Sequence, residues 1–273
     1  MGIKLFLTSS LDCYRKTPNG KEATKCNNSN HFVDRLKVYT KKMTNFVFVA
    51  SNPDGANKTD EYSNIIVNAL NLDGFGIENL IVLDHRFDGD VEKAILSADC
   101  VFLSGGHVPT QNAYFKEIGL KQILEKYSGI VIGQSAGSMN CADIVYAQPE
   151  SEEEFYDKSF KKLIPGLGLT KIKVMPHMNR AKIDQIDGTT TYDMCLKDSK
   201  TIAHYGISDS GFIEIVNGKE ISYGPTVLFN DGRCVELCIQ GQSVEVNEKY
   251  QHKQEYVKWF YQNRTFKRRK LCY

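Results

Sequence analysis

No apolar run in the sequence approaches the ~20 residues that a membrane-spanning helix requires. The N-terminal segment, with its short apolar stretch from Ile3 to Leu7, lacks a cationic leader, a long apolar core and a cleavage site, so it does not read as a signal peptide. N-myristoylation needs Ser or Thr at position 6, and Phe6 stands there. Nor does one charge dominate. With 34 basic and 33 acidic side chains the formal charge is +1. That balance gives no argument for nucleic acid, an anionic membrane or a charged polymer as partner. The basic cluster Lys267-Arg268-Arg269-Lys270 reads as a solvated tail.

The eight cysteines include no CxxC pair. Cys234 and Cys238 are four apart in a strand-like run, which predicts that both lie on one face. Zinc sites want tighter clusters, and no HExxH or multi-carboxylate group is present, so no metal or cofactor is expected. Reduced, mostly buried thiols and a cytoplasmic location are the expectation. There is no internal repeat, low-complexity tract or flexible linker, which predicts one α/β hydrolytic domain over residues 1–273. A homodimer is the one assembly allowed for.

What the chain does contain is alternation. Apolar runs at Ile3 to Leu7 (interrupted by Lys4), Phe46 to Ala50, Leu80 to Leu83, Cys100 to Leu103 and Ile130 to Ile132 read as strands. Between them lie helical patterns at Asp60 to Leu72, Val91 to Ala98, and Ala113 to Lys126 with a break at Gly119. Such strands indicate a parallel sheet sandwiched by helices. The last third holds six short strand-like runs between Thr201 and Val246, punctuated by Asn217-Gly218 and Asp231-Gly232. These predict a C-terminal antiparallel strand patch on one edge of the sheet. A final helix is expected over Gln254 to Tyr261, and the polar stretch Tyr14 to Asn30 reads as an exposed loop or irregular helix.

The most informative stretch is Gly133-Gln134-Ser135-Ala136-Gly137, a G-x-S-x-G between an apolar strand and a helix-compatible segment. A serine on so sharp a turn needs small residues where strand and helix converge. The Ala136 N–H and the positive end of the following helix would face a developing oxyanion. Ser104-Gly105-Gly106-His107 follows the fourth strand, where a glycine N–H would complete a two-donor hole; His107 is a candidate for substrate contact.

A serine hydroxyl needs a base. Of six histidines, His177 stands out, held by Pro176 just past the strand-like run Lys171 to Met175. His204 falls within a strand pattern and reads as packing. The group that orients the imidazole is Asp209, following a strand, or Glu150, fifteen residues after Ser135.

At SGGH (Ser104 to His107), GQSAGS (Gly133 to Ser138), PHMNR (Pro176 to Arg180) and GISDSG (Gly206 to Gly211), the chain resembles the peptidase E family, which includes cyanophycinase-like enzymes. The resemblance implies a class I glutamine amidotransferase-like fold with serine in place of cysteine. It implies attack by Ser135, His177 as base, and an oxyanion hole from Gly106 and Ala136. It also implies a small peptide substrate with an aspartyl residue at or near the cleaved bond. Glutamate is frequent in the family where Asp209 stands here. Arg180 and the polar Gln134 are the candidates for substrate binding. Two other readings compete. An α/β-hydrolase esterase would order its triad Ser135, then Asp209 or Asp231, then His252. A catalytically silent protein of the same fold would use the turn to bind a peptide or small molecule.

Overall fold

A computed structural model of the protein describes residues 2–18 and 20–247. The expected C-terminal helix, the basic tail and His252 lie outside the described residues. Among those described, no helix is long and apolar enough to cross a membrane.

The fold is mixed α/β around a mostly parallel central sheet of eight strands. From one edge they run Ser243–Glu245, Lys219–Tyr223, Phe212–Val216, Lys4–Thr8, Ile130–Gln134, Cys100–Leu103, Asn45–Val49 and Asn79–Leu83. Lys4–Thr8 and the four that follow it in this order are mutually parallel, so their carboxyl ends share one edge. The other three add antiparallel.

Strict alternation along the central strands builds both faces. Phe6, Phe46, Phe48, Phe102 and Ile132 point to one side, packed under helices Phe32–Tyr39 and Ala56–Leu72. Leu7, Val47, Val49, Val101, Leu103 and Val131 point to the other, among them Tyr114 and Phe115 of helix Val108–Glu117. Each such side chain contributes roughly 1.5–3 kcal/mol of burial, which explains why the interiors of these strands are apolar on both faces, with polar residues such as Lys4, Asn45 and Gln134 only at their ends. The helical pattern after Ala113 breaks at Gly119, between Val108–Glu117 and Leu120–Leu124.

Three expectations are corrected. Three of the six late runs, Phe212–Val216, Lys219–Tyr223 and Ser243–Glu245, form the expected antiparallel patch on one edge of the main sheet, but the other three do not. The chain turns at Gly224-Pro225, and Thr226–Asn230 leaves the main sheet to join Val174–Met175, His204–Ile207 and Arg233–Cys238 in a second, four-stranded sheet. Tyr14 to Asn30 is not a loop alone: Tyr14–Thr17 and Gly20–Ala23 pair as an antiparallel hairpin with no buried residue. Cys234 and Cys238 do not share a face. A bulge opposite Thr226 and Val227 shifts the register, so Cys234 pairs with Phe229 and Cys238 with Thr226. Among the described residues no disulfide joins any two of the seven cysteines, and six of the seven are buried.

Candidate active site

The carboxyl edge of the parallel strands gathers the sequence motifs. Ser135 follows strand Ile130–Gln134 with φ 51 and ψ −115, a conformation that non-glycine residues rarely adopt. Close packing imposes it. A Cβ on Gly133 would sit 2.8 Å from the Ser138 Cα, and one on Gly137 would sit 2.1 Å from the Leu103 carbonyl oxygen. The turn is tied to the first strand: the Ser135 N–H donates to the Thr8 carbonyl at 2.9 Å and the Ser138 hydroxyl to the same oxygen at 2.7 Å. The helix that follows, Ala136–Asn140, has only five residues. It is too short for the macrodipole expected from the sequence, leaving the unpartnered first-turn N–H groups as the local donors.

His177 lies past Val174–Met175, in the second sheet rather than the main one. Its own φ is 58, and Met178 N–H anchors the turn to the Ile207 carbonyl at 3.2 Å. The imidazole Nε2 is 3.0 Å from Ser135 Oγ, and Nδ1 is 2.7 Å from Asp209 Oδ1. Asp209 occupies a turn closed by Gly211 N–H on the Ser208 carbonyl. Burial alone would raise its carboxyl, but hydrogen bonds from His177, Ser9 and Asn179 together with the His177 charge outweigh it and hold the group down to about 2. Three side chains 32 to 74 residues apart in sequence thus form one line of hydrogen bonds, in the chain order serine, histidine, acid. That is not the order of the α/β-hydrolase alternative.

Two clefts meet at Ser135, Gly106 and His177. The wider, about 540 Å³, is walled by Met139, Gln148, Glu150, Met175 and Ile186. The other, about 480 Å³, runs past Gln134, Tyr62 and Ser51 to Lys21 and Lys58 at the start of helix Ala56–Leu72.

The sequence profile of Peptidase family S51 matches residues 19–222. The chain belongs to this family. It is accordingly a serine-type peptidase, as its motifs predict. Among curated protein sequences no relative matches. Of solved structures, a peptidase from an acI-B1 Actinobacterium is similar with a TM-score of 0.62, at 15% identity over 90% of this chain and 97% of that one. A protein named as a peptidase E from Listeria monocytogenes EGD-e has a TM-score of 0.54, at 17% identity over 81% of this chain and 98% of that one. At such identities the likeness is one of fold.

Within this S51 chain the remaining candidates fall apart in place. Glu150 lines the wider cleft, its carboxyl raised by desolvation against the opposing pull of His107, and among the described residues no hydrogen bond joins it to His177. His107 lines that cleft too, but both ring nitrogens are engaged, with Thr110 Oγ1 and Glu154 Oε1, each at 2.7 Å. Gln134 borders the narrower cleft and bonds the Tyr62 hydroxyl. Arg180 is exposed and pairs at 3.0 Å with Asp184, which lines the wider cleft, while Arg180 itself lines neither. Sequence reasoning missed Ser9, Asn179 and Lys58. Asn179 sits within the PHMNR motif, two residues beyond the histidine, which was the available signal. Ser9 and Lys58 carried none.

Proposed function

We propose that this S51 peptidase cleaves small peptides at an aspartyl residue through an acyl-enzyme on Ser135. The observation that carries the reading is the unbroken line Ser135 Oγ, His177, Asp209, with contacts of 3.0 and 2.7 Å. Ser135 attacks the carbonyl carbon as His177 Nε2 takes its proton. Asp209 holds the Nδ1–H tautomer and stabilises the imidazolium. The N–H groups of Gly106 and Ala136 receive the oxyanion, each such donor contributing about 3 kcal/mol in comparable sites. His177 returns the proton to the leaving amine, and water, deprotonated the same way, releases the acid. We read the fold as the class I glutamine amidotransferase type, with serine where those enzymes carry cysteine.

The aspartyl preference finds support in the narrower cleft rather than in Arg180. Lys58 forms no ion pair among the described residues, Lys21 stands nearby against Glu61 at 3.5 Å, and helix Ala56–Leu72 opens there with no acid in its first turn. That field favours a carboxylate. The test is labelling by a fluorophosphonate probe of wild type, Ser135→Ala and His177→Ala. Labelling at Ser135, lost in both folded variants, is expected. A folded wild type that stays unlabelled would favour the silent, peptide-binding reading.

A further inference from the structure

We infer that Ser9 is a positioning residue that locks His177 and Asp209 into one arrangement and fixes which imidazole nitrogen carries the proton. The inference rests on the reading of Ser135, His177 and Asp209 as the catalytic line. Ser9 follows the first strand and is wholly buried. Its hydroxyl donates to Asp209 Oδ1 at 2.8 Å and accepts the His177 backbone N–H at 2.8 Å. A hydroxyl has one hydrogen and two lone pairs. With that hydrogen given to Asp209, the 3.4 Å approach of Ser9 Oγ to His177 Nδ1 supplies the ring no proton. Nδ1 must therefore bring its own hydrogen to Asp209, which leaves the Nε2 lone pair facing Ser135.

Position follows from the same bonds. A non-glycine residue at φ 58 is strained and persists only where its surroundings over-determine it. The Ser9 hydroxyl is the group that captures the His177 N–H in that conformation. Ser9 is itself fixed: its N–H donates to the Gly211 carbonyl, and the next carbonyl, of Ser10, accepts from Ser210. One residue earlier, the Thr8 carbonyl holds the Ser135 turn. Two consecutive residues at the end of one strand thus hold the nucleophile on one side and the base with its acid on the other.

The experiment compares wild type, Ser9→Ala and Ser10→Ala by the kinetics of fluorophosphonate labelling and by amide hydrogen exchange at His177. Ser10 is the control, since among the described residues its hydroxyl bonds only Asp12. For Ser9→Ala the limiting labelling rate should fall at least about tenfold, because sub-ångström misplacement of a base is costly. The half-saturating probe concentration should hold, and the His177 amide should exchange at least about tenfold faster. Ser10→Ala should match wild type in each. A limiting rate within about twofold of wild type, or loss through the half-saturating concentration alone, would overturn the assignment. If wild type takes up no probe, the peptidase mechanism fails on its own account and the His177 amide decides: unchanged exchange in Ser9→Ala removes Ser9 from its role.

Discussion

Asp209 reaches the imidazole and Glu150 does not, although both carboxylates stand near the same histidine. The difference is one of tethering. Asp209 is gripped by Ser9 on one oxygen and Asn179 on the other, the latter at 2.9 Å, so a side chain one methylene shorter than glutamate still spans the distance. Glu150 belongs to a segment anchored elsewhere, its backbone N–H on Glu154. Asp209→Ala should therefore lower the labelling rate of Ser135 by about 10²–10⁴-fold, whereas Glu150→Gln should stay within about threefold, measured side by side at neutral pH. Ser135, His177 and Asp209 were legible because each sits in a short motif at a strand end. Ser9 was not. A serine after a strand has no pattern of its own, and its two partners lie 168 and 200 residues away.

At the scale of elements, the nucleophile turn depends on how closely a helix start can approach a neighbouring strand. Gly137→Ala would drive a methyl group into the Leu103 carbonyl. A loss on the order of 3 kcal/mol is expected, read as a lowered melting temperature together with loss of labelling. On the proposed aspartyl preference, Lys58 offers the complementary case, an element end that shapes binding but not chemistry. Lys58→Met should raise KM for aspartyl p-nitroanilide about tenfold and leave the fluorophosphonate rate unchanged. The central strands could be read from sequence because burial on both faces leaves no polar position in their interiors. The hairpin at Tyr14 could not, since it buries nothing and so writes no hydrophobic period; Asn19-Gly20 in the sequence was its one local signal. The division of the late strands between two sheets escaped for a related reason: a hairpin signal specifies a neighbour, not the sheet that the pair joins.

For the whole molecule, the second sheet carries a cost that appears in acid. His204, stacked on Phe229 and against Tyr146, is fully buried, with Nδ1–H on the Ile202 carbonyl and Nε2 unpartnered. Desolvation holds it neutral down to about 4, from an ordinary 6.5. The unfolded chain therefore binds this proton first, so stability is lost as pH falls from about 6.5 to 4, by roughly 3 kcal/mol. Asp209 adds a second loss between 3.8 and about 2, where its stabilised carboxylate is finally protonated. Urea midpoints followed from pH 7 to pH 4.5 should decline in wild type and stay nearly level in His204→Phe.

The first strand has one more consequence. Lys4–Thr8 pairs with Ile130–Gln134 on one side and with Phe212–Val216 on the other, and the hydroxyl just past it awaits Asp209. During synthesis that strand waits for partners made more than a hundred residues later. On the proposed mechanism, a nascent chain that has not yet reached Asp209 holds Ser135 without its acid. On that reading the nascent protein is inert and acquires its peptidase chemistry only once the antiparallel strand Phe212–Val216, with Asp209 just before it, has been made and paired with Lys4–Thr8, a safeguard written into the order of the chain.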